Sequence, residues 1–359
     1  MKKKPEVFSV YFGGGDPACV EVKYIEKTIR YLDEYFDLSQ CEEIIFEGNA
    51  KSLNDLEKLK HYKEAKVNRI SFGVQTFDTQ IRKKIALRPS VDDIYETIEK
   101  LQQVGISRFD IDMIYNLPDQ TEENLRRDLD IAFQLPVTYV SYYQLTVMPN
   151  TQFESLLKKD TYTTNPPSPE KDMELSRVIM ERAKEMKLYE PRYMCYSSTE
   201  NSRKDEKLDK SCLPILAFGS SAKGTFYDIN YKNVSSIHEY IRMLKNDMFP
   251  TTICYYSDKE DMEEFQLLMA LQIMKFKKSQ ITGYERFNTI FRDLIESAYL
   301  IEKGDELSLS SEGKVFIGNI QYLFINQKQK MRRYRNVLKS HNDKKNPYNQ
   351  DKMNIKHTK

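Results

Sequence analysis

Short apolar runs rich in β-branched and aromatic residues alternate with longer stretches of helical period through the first 150 residues. The runs fall at residues 7–12 (VFSVYF), 43–47 (EIIFE), 69–74 (RISFGV), 109–115 (FDIDMIY) and 139–145 (YVSYYQL). Between them, the apolar spacing predicts helices at about 22–37, 53–65, 91–103 and 121–134. This alternation predicts repeated βα units around a parallel sheet. The last helix has its own start signal, because Thr121 is followed by Glu122, Glu123 and Asn124, and early acids suit the positive end of a helix dipole.

A Pro- and Thr-rich link at 160–170 (DTYTTNPPSPE) closes this unit, and a helix is expected at about 170–187. The chain then divides into a connecting region at 161–255, a small α+β domain at 256–327 and a basic tail at 328–359. The connecting region holds the small-residue run 218–224 (FGSSAKG), which reads as a loop approaching a ligand. The α+β domain reads as helix, helix (279–287, SQITGYERF), helix and a small β element, a winged-helix-like order. The tail has few apolar anchors and many lysines and arginines, the composition of a disordered segment.

Charge narrows the partners. Lysine and arginine total 55 against 54 aspartate and glutamate, a balance that favours neither nucleic acid nor a membrane surface. No apolar run has the length to span a bilayer and no signal-peptide core follows the first residues, so a cytoplasmic location is expected. Cys19, Cys41, Cys195, Cys212 and Cys254 lie far apart, which reads as scattered thiols, not a disulfide framework.

Candidate chemistry gathers where the strands end. In parallel αβ architectures ligands sit at the carboxyl ends of the strands. Those ends here hold Gly13-Gly14-Gly15, Glu47-Gly48-Asn49, Gln75, Asn116-Leu117-Pro118 and Gln144. Glycine or polar residues at each end in turn point to a shared polar pocket, and a carboxylate after Ile44-Ile45-Phe46 requires a partner.

Four ordered motifs resemble one family. VYFGGGDP (10–17) is similar to the glycine motif of the radical S-adenosylmethionine (SAM) family of oxygen-independent coproporphyrinogen III oxidases, with Asp16 where threonine is usual. RISFGVQTFD (69–78), DIDMIYNLPDQT (110–121) and SYYQLTVMPNT (141–151) follow in that family's order and spacing, with Asn116 where glycine is usual. The resemblance covers about residues 7–325, including LSSEG (309–313). It implies a partial (β/α)6-type barrel lacking its first βα unit, with SAM bound by Gly13, Gly14, Gly15, Glu47, Gln75, Asp112 and Gln144. The family arginine that holds the SAM carboxylate usually lies twelve residues after the glutamine. Leu87 occupies that place, so Arg88 is the candidate and Arg82 the alternative.

The resemblance also implies a 4Fe-4S cluster held by Cys-x3-Cys-x2-Cys, a spacing that these 359 residues do not contain. An N-terminally truncated product, inactive in radical chemistry, is the expectation, and no metal ligand is assigned. Within the family, Glu47-Gly48-Asn49-Ala50 departs from the Glu-x-Asn-Pro usual in the haem-synthesis and haem-chaperone branches, while QTFDTQIRKKI (75–85), STENSRKDEKLDKS (198–211) and LAFGSSAKG (216–224) resemble the anaerobic haem-utilisation branch. That branch opens the porphyrin ring with a SAM-derived radical and a methyl transfer. A coproporphyrinogen oxidase-like enzyme, a haem chaperone and a non-catalytic relic are the alternatives. The implied partners are a tetrapyrrole or haem and an electron donor such as flavodoxin or ferredoxin. Tyr193, Cys195 and Tyr196 read either as packing residues or as groups facing a porphyrin.

Overall fold

The computed structural model describes residues 3–159, 161–200, 212–326 and 330. The basic tail, apart from position 330, and most of the charged stretch 198–211 lie outside the described residues.

All five expected strands form: β1 Ser9–Phe12, β2 Glu43–Asn49, β3 Arg69–Gln75, β4 Arg108–Tyr115 and β5 Tyr139–Gln144. They pair in parallel in chain order, each with the next. The crossovers are α1 Val22–Tyr35, α2 Leu56–Glu64, α3 Thr79–Lys84, α4 Val91–Val104 and α5 Glu122–Gln134. Helix α2 starts later than its apolar spacing suggests because the Asp55 side chain accepts from Lys58 N and fixes the first turn there. Thr121 caps α5 in a capping box with Asn124, and Ser90 with Asp93 does the same for α4.

The sheet continues past residue 160. After α6 Gln152–Leu157, helix α7 Pro169–Glu185 buries Leu175, Val178, Ile179 and Ala183 in the same core as the strands. A hairpin follows, β6 Tyr189–Arg192 and β7 Cys195–Ser197, with β7 antiparallel to β5. The result is a seven-stranded mixed sheet in the order β1-β2-β3-β4-β5-β7-β6, as expected of a partial barrel.

Two smaller α+β units complete the described chain. Strands β8 Lys223–Phe226, β9 Ile229–Asn233 and β10 Thr251–Tyr256 form an antiparallel sheet around the helix Ile237–Lys245. Strands β11 Lys275–Lys277, β12 Leu300–Lys303 and β13 Glu306–Leu309 pack with the helices Lys259–Ile273, Asn288–Glu296 and Ile317–Phe324 around a second core. The stretch 279–287, expected as one helix, is instead broken between the 3₁₀ turns Lys278–Gln280 and Tyr284–Phe287. Gly283 between them has φ +69°, which no right-handed helix tolerates. This unit is docked on the sheet through Tyr193 N donating to Gln272 O at 2.9 Å and an Arg177–Glu312 ion pair at 2.6 Å.

Strand parity positions the site. Ile44, Phe46, Ile70, Phe72, Phe109 and Ile111 face the helices and join the main core. Their alternates face the other way, into the partial barrel. Register aligns those inner residues in rows: Glu47 beside Ser71 and Asp110, then Asn49, Gly73, Asp112, Ser141 and Cys195 one step nearer the strand ends. At the opposite end Arg69, fully buried, reaches Glu43 at 2.9 Å and Asp110 at 2.7 Å.

Candidate SAM site at the strand ends

The glycine loop after β1 is fixed by one carboxylate. Glu47 accepts from the Gly14 N–H at 2.9 Å and from the Tyr11 hydroxyl, so the partner that its sequence context demanded lies across the sheet on β1. The approach is close: a Cβ on Gly13 would stand 2.5 Å from Glu47 Oε2 and from the Tyr11 ring. Gly14 and Gly15 have φ +84° and +135°, and nothing lies within 4 Å of where their side chains would project. Glycine is therefore required by contact at one position and by conformation at the next two, and the loop's outer side is open.

Asp16, which replaces the usual threonine, ties this loop to the end of β2. It accepts from Ser52 Oγ at 2.9 Å, from Cys19 Sγ at 3.1 Å and from the Asn49 amide. The substitution thus exchanges a hydroxyl for a carboxylate with several donors around it. Nothing in the sequence spacing pointed to this role.

Gln75 ends β3 with φ +66°, and its amide nitrogen falls 2.3 Å from where a Gly73 Cβ would be. Gly73 is the register partner of Asp112, so the Gln75 amide lies on the inner face beside that carboxylate. Asp112 is half-buried and next to buried Ser141. Gln144 is exposed at the end of β5. The structure thus brings the glycine loop, Glu47, Gln75 and Asp112 onto one surface, whereas Gln144 pairs with core Tyr115 and shares the parity of Val140 and Tyr142, off that inner face.

The two candidate arginines separate. Arg82 is buried and its guanidinium donates to Val74 O at 2.7 Å, Thr76 O at 2.6 Å and Pro89 O. Arg88 is exposed in the loop after α3 and makes no hydrogen bond or ion pair among the described residues. Only Arg88 keeps its charge available to a ligand carboxylate.

The loop after β4 is equally ordered. Asn116 adopts φ +62° where the family has glycine, as asparagine does more readily than other side chains. Its amide donates to Ser168 O at 2.9 Å and accepts from Ser168 N at 3.3 Å, binding the loop to the start of α7. Burial raises the Asp119 carboxyl, but the Lys84 ammonium, the Thr163 hydroxyl and the Thr164 and Asn165 N–H donors outweigh it and hold the group well below the usual carboxylate range.

Among the aromatic candidates, Tyr196 is a core residue. It packs edge-on against Phe133 at 5.8 Å and Tyr142 at 6.4 Å, on the helix side of β7. Cys195, its neighbour, points the other way by parity and joins the row with Asp112 and Ser141. The 218–224 run is held within the small sheet, where Gly219 N donates to Tyr240 Oη at 2.8 Å and Gly219 O accepts from Asn233 Nδ2 at 2.9 Å.

Residues 1–132 match the family model described as the Radical SAM superfamily. Over 327 residues the chain is 26% identical to the Heme chaperone HemW of Bacillus subtilis (strain 168), covering 88% of this chain and 84% of that protein. It is 24% identical over 330 residues to the Anaerobilin synthase of Escherichia coli O157:H7, covering 89% and 72% respectively. Coproporphyrinogen III oxidase (HemN) from Escherichia coli, a solved radical SAM enzyme, superposes with a TM-score of 0.74 at 18% identity over 89% of this chain and 78% of its own. Residues 1–132 thus carry a radical SAM domain, and the chain as a whole is similar to the coproporphyrinogen oxidase-like proteins.

Membership in the radical SAM family implies SAM and a 4Fe-4S cluster. Among the described residues no group of three or more His, Cys, Asp or Glu is placed to hold a metal ion, and the five cysteines stand apart. The side chains described do not fit a cluster. They do fit SAM: an open glycine backbone beside a carboxylate already oriented by two donors suits an aminoacyl group. No helix among the described residues is long and apolar enough to cross a membrane.

Proposed function

We propose that this radical SAM chain binds SAM at the carboxyl ends of β1–β4 and that its substrate or cargo is a tetrapyrrole. The observation that carries the SAM reading is Glu47 holding the open Gly13-Gly14-Gly15 loop on the same inner face as Gln75 and Asp112. In this reading the loop's backbone and Glu47 receive the SAM ammonium, Arg88 pairs with its carboxylate, and Gln75 and Asp112 offer an amide and a carboxylate to the ribose hydroxyls and base. SAM in this family supplies radical or methyl-transfer chemistry. What the chain's own residues do is bind and orient it.

The tetrapyrrole reading draws on the likeness to the anaerobilin synthase and to the haem chaperone over nearly the whole chain. Opening of the porphyrin ring through a SAM-derived radical and methyl transfer is the first form of this proposal, with flavodoxin or ferredoxin as electron donor. It requires cluster thiolates that these 359 residues do not supply. Haem carriage is the second form, favoured by the relatives named as haem chaperones and by its needing no radical. A coproporphyrinogen oxidase-like activity and a non-catalytic relic are further alternatives.

Titration with haemin separates these forms. A stoichiometric shift of the Soret band is expected, with the haem recovered unchanged if the chain is a carrier. A modified tetrapyrrole after anaerobic incubation with SAM and a reductant would mark an enzyme. Absence of any spectral shift at micromolar haemin would overturn the tetrapyrrole reading.

A further inference from the structure

Gln75 sits in a backbone conformation that few residues adopt. Its φ of +66° combines with a Thr76 N to Val74 O hydrogen bond of 2.9 Å, which makes it the central residue of a γ-turn of the strained, positive-φ kind. The left-handed region costs a side-chain-bearing residue roughly 1–2 kcal/mol. Such a residue persists only where its surroundings over-determine it. β-Sheet pairing is irregular here: the β3–β4 register shifts between Gly73 and Gln75, which pairs with Met113.

Two buried side chains grip the turn instead. Arg82 donates to the carbonyls on either side of Gln75, Val74 O at 2.7 Å and Thr76 O at 2.6 Å. Asp128, on α5, accepts from the Thr76 hydroxyl at 2.6 Å and from Phe77 N at 2.7 Å. Both groups are costly to bury. Burial lowers the Arg82 guanidinium from its ordinary value, and burial raises the Asp128 carboxyl to about 6 against the pull of its two donors. Neither side chain reaches the inner face, and both act on the backbone that flanks a single residue.

We propose that Arg82 and Asp128 are positioning residues that clamp the γ-turn so that the Gln75 amide lies over Gly73, beside Asp112, in the conformation that binds SAM. The inference rests on the SAM reading above. It assigns to Arg82 a task different from direct contact with the SAM carboxylate, and it brings in Asp128, which lies more than fifty positions from the residue it serves.

A double-mutant cycle tests it, with SAM itself as the probe in calorimetric titration of the full chain. Gln75→Ala and Asp128→Asn are each expected to weaken SAM binding about tenfold, the equivalent of one hydrogen bond. The double variant is expected to bind no more weakly than Gln75→Ala alone, because the clamp then has nothing to position. Thr76→Val, which removes one of the two donors to Asp128, supplies the same cycle if Asp128→Asn does not fold. Peptide-level hydrogen exchange over residues 74–78 is expected to speed up in both variants. A purely stabilising Asp128 would lower the melting temperature and leave the affinity of the folded protein unchanged. That result, or losses that multiply in the double variant, overturns the inference alone. Failure of the unaltered chain to bind SAM overturns the SAM reading and the inference with it.

Discussion

Replacing Arg69 with methionine is expected to lower the free energy of unfolding by about 3–5 kcal/mol, the usual penalty for removing one partner from a buried ion network. Arg69, Glu43 and Asp110 are each essentially inaccessible to water. Arg69 meets Glu43 through Nε at 3.2 Å and Nη2 at 2.9 Å, and Asp110 through Nη1 at 2.7 and 3.0 Å. Among the described residues Glu43 Oε2 has no hydrogen-bond partner, so its carboxylate depends on Arg69 for most of its compensation. Arg108 is a weak reserve at 3.6 Å and half in solvent. Without Arg69, two acids remain in a dry interior. Replacing all three with apolar residues of similar volume is expected to recover most of the loss, because the desolvation cost then disappears along with the attraction. Urea denaturation measures both. A single-variant loss under 1 kcal/mol, or a triple variant no better than the single, would contradict this account.

The second large effect concerns Glu47. Its replacement by alanine deprives the Tyr11 hydroxyl and the Gly14 N–H of their acceptor and removes the charge proposed to meet the SAM ammonium. A charge-assisted hydrogen bond contributes about 1.5–3 kcal/mol, so SAM affinity is expected to fall by roughly 10- to 150-fold. Tyr11→Phe keeps the carboxylate and loses only one of its donors, so a change of a few fold is expected there. Equal affinities for Glu47→Ala and the unaltered chain would show that Glu47 only braces the loop.

Glu47 and the Arg69 network show how far the chain could be read before it folded. Strands β2–β4 were legible because their helix-facing positions supply apolar alternates, Ile44 and Phe46, Ile70 and Phe72, Phe109 and Ile111. Thr121 and the acids after it announced α5 correctly because a cap is a local interaction. Glu47 was legible as a residue in need of a partner. That the partner is Tyr11 was not, since the contact spans 36 positions and depends on strand pairing. The same reason hides the Arg69 network and the Asp128 contact, where polar residues of distant strands and helices meet only in the folded chain. Arg82 was considered for a ligand carboxylate, but its guanidinium is occupied by backbone carbonyls made available by the turn at Gln75. The β6–β7 hairpin and the sheet β8–β10 were not legible because strands of three to six residues show too little alternation. Strand β11, read Lys275–Lys277, has one apolar residue between two lysines.

Polar contacts also explain why the family's usual threonine and glycine positions tolerate change in this chain. Asp16 finds Ser52, Cys19 and Asn49 around it, and Asn116 uses its side chain to hold Ser168. These two departures from the family pattern are matched by contacts that keep the strand ends in place.

A hydrogen-exchange footprint of SAM on the unaltered chain tests the central claim most directly. Protection is expected in peptides covering residues 11–16, 47–49, 74–78 and 110–116, the four strand ends that carry the proposed site. Protection confined to other surfaces, such as the cleft between Asp33, Ser39 and Lys66 at the opposite ends of the strands, or no protection at saturating SAM, would contradict it.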